Sequence, residues 1–111
     1  MEENLYDTSV LIEMVRKGVT HSKGYTTIFN VLEFLKTLEI AGLRVLYPVQ
    51  RDYDEAVRIS AKLLNIGKPI PAVDILIAAI CVNRKLSLNT KDEHFLNVKS
   101  VNEEFRLNLL K

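Results

Sequence analysis

Four acidic residues stand where a carboxylate is costly or chemically useful. Glu33 lies between Val31-Leu32 and Phe34-Leu35, and Asp74 between Ala72-Val73 and Ile75-Leu76-Ile77. A carboxylate in a run that dense in apolar residues is expensive to bury unless it is paired or binds a cation. Asp7 closes the short stretch Leu5-Tyr6, and Asp92 follows Leu86-Ser87-Leu88 in the run Asn89-Thr90-Lys91-Asp92. Taken singly, each acid has an ordinary reading. Asp7 is a preferred helix cap, Glu33 a common solvated helix residue, Asp74 a complement to a helix N-terminus after Pro71, and Asp92 a turn former. Brought together, four carboxylates repel and raise one another's pKa, and a divalent cation resolves that conflict. All-oxygen ligation selects Mg²⁺ or Mn²⁺ over Zn²⁺.

Whether the acids meet depends on the elements that carry them. Leu5-Tyr6 reads as a short strand ending at Asp7, and Ser9 to Lys17 as a short helix with Val10, Leu11 and Met14 on one face. Ile28, Val31, Leu32, Leu35 and Leu38 recur at helical spacing. They predict one long helix, capped by Thr26 or Thr27, running to Ala41 and stopped by Gly42 as its C′ residue. Leu43 to Val49 is rich in β formers, and Asp52 is placed to cap a helix carrying Tyr53, Ala56, Val57, Leu63 and Leu64. Pro71 suits the first turn of a helix from about Ala72 to Arg84. Leu86-Ser87-Leu88 predicts a buried strand and Asp92 to Phe95 a single turn, while Val98 to Leu110 is ambiguous between strand and helix.

Short apolar strands alternating with helices predict an α/β fold, a mainly parallel sheet covered by helices on both faces. Ligand sites in such sheets lie beyond the carboxyl ends of the strands. Asp7 and Asp92 come to that edge from strand ends, and the helices carrying Glu33 and Asp74 start from it.

Composition narrows the class. A chain of 111 residues is one domain over residues 1–111, with no linker or repeat in view. Apolar residues are 48% and charged residues 26%, which excludes disorder and a disulfide scaffold. No stretch reaches the ~18 apolar residues of a membrane span, and no basic start leads into an apolar segment. The single cysteine, Cys81, cannot form an internal disulfide and fits a reducing cytoplasm; it reads as a small hydrophobe packed in the helix after Asp74.

The formal net charge of +1 means that any nucleic-acid contact is local or helped by a metal ion. Lys68, Arg84, Lys85 and Lys91 sit near motif ends and are candidates for RNA backbone, each with an ordinary surface reading beside it. His21 and His94 are too far apart for a helical zinc pair, and His94, placed beside Asp92 where it could tune the site, reads first as a surface histidine. No glycine-rich phosphate loop precedes a helix.

Four segments in series carry a resemblance. They are Leu5-Tyr6-Asp7-Thr8-Ser9-Val10-Leu11-Ile12, Thr27-Ile28-Phe29-Asn30-Val31-Leu32-Glu33, Gly67 to Ala79 with Asp74-Ile75-Leu76-Ile77-Ala78-Ala79, and Leu86 to Phe95 with Thr90-Lys91-Asp92-Glu93-His94-Phe95. In this order, over nearly the whole chain, they resemble the PIN-domain ribonucleases, most closely the small toxins of the VapC type.

The resemblance implies a three-layer α/β/α sandwich and metal-assisted hydrolysis of RNA phosphodiesters, with Mg²⁺ or Mn²⁺ as cofactor. Carried over, the catalytic set is Asp7, Glu33, Asp74 and Asp92. Asp7, Asp74 and Asp92 are metal ligands, and Glu33 holds a water, a ligand or the general-base role. Ser9, Thr90 and Lys91 are candidates for substrate contact, with helix-cap or surface readings for the same residues. The implied partners are RNA, a cognate antitoxin protein and a second copy of the chain.

Three departures from the family pattern stand out: few apolar residues precede Asp7, Asn30 stands where a hydroxyl residue is usual, and the stretch from Glu33 to Asp74 is short.

Two other classes compete. A PIN-like domain that binds RNA or protein without cleaving it would be expected to lose at least one of the four acids. A phosphotransfer domain would need a second Asp two residues after Asp7, where Ser9 stands, or a well-placed N-terminal acidic pair, which Glu2-Glu3 is not.

Overall fold

The computed structural model describes residues 3–111, so Glu2 lies outside the described residues. Five strands, β1 (Asn4–Tyr6), β2 (His21–Thr27), β3 (Ala41–Leu46), β4 (Ser87–Thr90) and β5 (Arg106–Leu109), form one sheet in the order β3-β2-β1-β4-β5. Every pairing is parallel, so all five carboxyl ends lie on one edge. The helices are α1 (Thr8–Arg16), α2 (Ile28–Glu33), α3 (Gln50–Asn65), α4 (Ala72–Arg84) and α5 (Phe95–Val101), with a 3₁₀ turn over Leu35–Glu39.

The strand order dictates the layers. Parallel crossovers are right-handed, and the chain steps from β1 to β2 to β3 in one direction and from β4 to β5 in the other. Helices α1 and α2 therefore cover one face, and α3, α4 and α5 the other. Leu5 and Leu88 turn to that second face and join Ile59, Leu63, Ile77, Ile80, Phe95, Val98 and Phe105 in the main core. Helix α4 buries Ile75 and every residue from Ile77 to Cys81, as a helix wedged between a sheet and two neighbours must. It ends at Lys85, whose φ of 55° is left-handed and stops the turn.

The long helix expected from Thr26/Thr27 to Ala41 does not form. Residues 21–27 are instead strand β2, whose sequence His-Ser-Lys-Gly-Tyr-Thr-Thr carries no apolar alternation. Its end is held by polar contacts: Thr26 is fully buried and donates its hydroxyl to Tyr6 O at 2.9 Å. Helix α2 stops after Glu33, where Phe34 turns to φ −147° and ψ 86°. Thr37 directs both its N–H (3.0 Å) and its hydroxyl (2.7 Å) to Phe34 O, closing a tight turn in place of a helical one. The break turns Thr37 and Ile40 inward and leaves Leu32, Leu35 and Leu38 at 69%, 65% and 67% exposure.

Gly42 is no helix C′ residue; it lies within β3, where a Cβ would come within 2.5 Å of Ser22 O. Asp52 is the third residue of α3 rather than its cap, and its Oδ2 accepts the Val49 N–H at 2.8 Å. The ambiguous tail divides into the end of α5 and strand β5. No helix among the described residues is long and apolar enough to cross a membrane.

Candidate active site

Asp7 follows β1 directly. Its backbone caps α1, with Asp7 O accepting the N–H groups of Val10 and Leu11 at 3.0 Å, but its side chain makes no capping bond. The carboxylate turns along the sheet edge instead. Oδ1 accepts from Asn30 Nδ2 at 2.8 Å and Oδ2 from the Thr90 hydroxyl at 2.7 Å, and the residue is 8% exposed.

Asn30 is itself locked. Its Oδ1 accepts the Thr27 N–H (3.3 Å) and the Thr27 hydroxyl (2.6 Å), which leaves Nδ2 free to donate. The amide also donates to Thr8 Oγ1 at 2.9 Å, and Thr8 donates onward to Glu33 Oε1 at 3.1 Å. One asparagine, buried in the first turn of α2, thus orients Asp7 directly and Glu33 through Thr8.

Asp74 enters from the first turn of α4 and is half-buried. Burial and the charges of Asp7 and Asp92 push its pKa up to about 6; Glu33 adds to the shift and His94 opposes it. The four acids foreseen from sequence therefore share one electrostatic site at the carboxyl edge of the sheet.

Asp92 makes a local turn, its Oδ1 accepting the His94 N–H at 2.9 Å. That turn brings the His94 ring back over the acids, with Nδ1 3.3 Å from Asp92 Oδ1 and 3.9 Å from Asp74 Oδ2. Donor atoms of Asp74, Asp92 and His94 all lie within 4.8 Å of one another. Glu33, Asp74, Asp92 and His94 line a groove of about 500 Å³ whose apolar wall is Phe29, Leu32, Pro71 and Val73.

The donor set fits a divalent cation. Burial first, and the neighbouring carboxylates second, raise the proton affinity of Asp74, and a cation placed among the acids would offset both costs. Asp74 and Asp92 are open to the groove, whereas both oxygens of Asp7 are already engaged from the protein side.

The three residues expected to meet substrate have other work. Thr90 is fully buried, and its hydroxyl both donates to Asp7 and accepts the Asp92 N–H at 3.0 Å. It positions two acids and does not face the groove. Ser9 accepts the Lys91 N–H at 3.0 Å, tying the end of β4 to α1. The Lys91 ammonium pairs with Glu13, which also holds Lys17 at 2.7 Å and has its pKa lowered to about 2 by those two lysines.

Of the other cations singled out, Arg84 makes a two-pronged pair with Asp52, at 2.8 and 3.0 Å, far down α4 from Asp74. Lys85 caps the same remote end, and Lys68 is exposed in the loop before α4. Cys81 is buried in α4, where desolvation pushes its thiol pKa far up and leaves it unreactive. Sequence reasoning missed the part played by Asn30 and gave His94 only a tuning place beside Asp92. The signal for His94 was the spacing Asp-x-His at a turn, which places the two side chains on one side.

No protein-family model matches the sequence, and no curated protein matches it significantly. Solved structures do resemble the fold. A member of the VapBC family of toxin–antitoxin systems, VapBC-5 from Mycobacterium tuberculosis, superposes with a TM-score of 0.81 at 20% identity, covering 99% of this chain and 100% of that one. DNA-bound VapBC from Salmonella typhimurium gives 0.76 at 17% identity over 97% and 98%. VapBC-1 from nontypeable Haemophilus influenzae gives 0.73 at 14% identity over 96% of each chain. This chain thus shares its fold, a three-layer α/β/α sandwich around a parallel sheet, with these VapBC structures.

Proposed function

We propose that this chain is a metal-dependent endoribonuclease, the toxin of a toxin–antitoxin pair. The observation that carries the reading is Asp74. Its carboxyl is half-buried, burial and then the charges of Asp7, Asp92 and Glu33 raise its pKa to about 6, and such a group among other acids favours a positive charge beside it. Asp74 and Asp92 hold the ion, and Asp7 adds charge from below. When bound, a divalent ion lowers the pKa of a water and binds the scissile phosphate. Glu33, at the groove rim with Oε1 fixed by Thr8, orients the attacking water and accepts its proton through its second oxygen. Asn30 and Thr90 keep Asp7 from swinging into the groove, so the acids present one fixed geometry to the substrate.

The partner reading rests on the exposed leucines. Leu32 lines the groove, and Leu35 and Leu38, in the 3₁₀ turn that follows α2, are likewise exposed. An antitoxin segment laid there would cover the acids and block RNA. The similar solved structures are VapBC systems, which favours that reading. The exposed Tyr53, Val57 and Leu64 of α3 supply further apolar area for a homodimer. With no membrane-length apolar helix among the described residues, the place of action proposed is the cytoplasm.

The deciding experiment is cleavage of structured and single-stranded RNA with Mg²⁺ or Mn²⁺, with and without chelator, for wild type and Asp74→Asn. Cleavage that needs metal and falls by orders of magnitude in the variant is the expected result. RNA binding without cleavage at any metal concentration would favour a non-catalytic PIN-like binding domain.

A further inference from the structure

We infer that His94 is a ligand of the bound cation, which makes the site a mixed nitrogen–oxygen centre that prefers a first-row transition ion such as Mn²⁺ to Mg²⁺. The inference rests on the metal-dependent reading above and goes beyond its four acids.

The geometry is specific. The Asp92 turn fixes the backbone of His94 through a 2.9 Å bond to its N–H, and the ring lies on the side of the acids. Nδ1 stands 3.3 Å from Asp92 Oδ1 and 3.9 Å from Asp74 Oδ2. Neighbouring donors around an octahedral ion with bonds of ~2.1 Å are ~3 Å apart, and opposite donors ~4.2 Å. Both His94 distances fall in that range, and the donor atoms of all three side chains lie within 4.8 Å of one another. They also divide the labour by position. Asp7 is sealed between Asn30 and Thr90, Glu33 is tied to Thr8, and the groove side of the ion is left to Asp74, Asp92 and His94.

The donor type then sets the preference. Mg²⁺ is hard, takes oxygen and keeps its waters, whereas transition ions gain from an imidazole nitrogen. An all-carboxylate site discriminates weakly between Mg²⁺ and Mn²⁺, and one nitrogen in the set tilts it toward Mn²⁺. The His94 side chain is 56% exposed and packs into no core, so its removal tests ligation with little effect on folding.

The test is binding, not turnover. Free Mn²⁺ is followed by electron paramagnetic resonance during titration into metal-free protein, with Mg²⁺ as competitor, for wild type, His94→Ala and Asp74→Asn. Wild type is expected to hold Mn²⁺ more tightly than Mg²⁺, and His94→Ala to lose roughly tenfold or more in Mn²⁺ affinity with Mg²⁺ affinity little changed. Electron spin echo modulation from a ligating ¹⁴N should appear with wild type and vanish with His94→Ala. If both variants of the test separate, so that Asp74→Asn abolishes binding while His94→Ala leaves the Mn²⁺ to Mg²⁺ ratio and the nitrogen signal unaltered, the acid site stands and the inference about His94 is overturned. If wild type binds neither ion, the metal-dependent reading itself fails, and His94 with it.

Discussion

Thr90 holds Asp7 at the carboxyl edge of the sheet: its hydroxyl donates to Asp7 Oδ2 at 2.7 Å, and both residues are buried. The same oxygen accepts the Asp92 N–H, so one hydroxyl spaces two acids that come from different strands. Thr90→Val keeps the shape and removes the donor. It should cost ~1–3 kcal/mol, because a buried carboxylate oxygen loses its partner, and it should lower RNA cleavage. Thr90→Ser should restore both. Urea denaturation beside cleavage rates checks this, and a valine variant of unchanged stability would show that the bond contributes little.

The acids are not equivalent, and pH separates them. Asp74 has a folded pKa of about 6, above its ordinary value. Its contribution to stability is intact below pH ~4, where both states are protonated. It is lost as pH rises through ~6, where the folded state must give up a proton that it holds more tightly than the unfolded chain does. In chelator, Asp74→Asn should therefore gain stability over wild type as pH climbs from 4 to 6. Asp7→Asn should instead lower stability, since its amide cannot accept from both Asn30 and Thr90 as the carboxylate does. Thermal melts across pH for both variants decide it.

Far from the site, Asp52 and Arg84 pin α3 to the end of α4. Asp52 is fully buried; burial would raise its pKa, but Arg84, the Val49 N–H and Asn83 together hold it below the ordinary carboxylate value. Arg84→Met should cost ~3–5 kcal/mol by leaving that charge unpaired, and Asp52→Leu added to it should recover much of the loss. A mild effect of Arg84→Met with a strong drop in RNA affinity would return Arg84 to the substrate contacts expected from sequence.

The exposed leucines of the 3₁₀ turn should be neutral to folding. Leu35→Ser and Leu38→Ser are expected to change stability by no more than ~0.5 kcal/mol, whereas Leu11→Ala, at a fully buried position, should cost ~2–5 kcal/mol. Where a small antitoxin-like protein is encoded beside this chain, its co-purification should weaken in the serine variants. Unchanged co-purification would place the partner elsewhere.

Much of the site was legible along the chain because its cost is local. Asp74 inside Ala72-Val73 and Ile75-Leu76-Ile77 needs compensation wherever the helix lies, and the pattern around it placed α4 at Ala72–Arg84 as observed. Asp7 and Asp92, each just past a short strand, were placed at one edge by the alternation of strands and helices alone.

What tertiary structure decided lies where the local signal was silent or misleading. Polar β2 gains its place from pairing on both sides, between β1 and β3, a benefit no residue in it announces. The leucines at helical spacing from Ile28 to Leu38 promised one long buried helix, but Phe34 and Thr37 break it and turn three of them to the surface. Arg84 became a structural cation only because α3 brings Asp52 to it. Asn30 joins the site for the same reason. A hydrogen-bond donor has no role until folding brings an acid within about 3 Å of it, and for Asn30 and Asp7 the distance along the chain does not encode that approach.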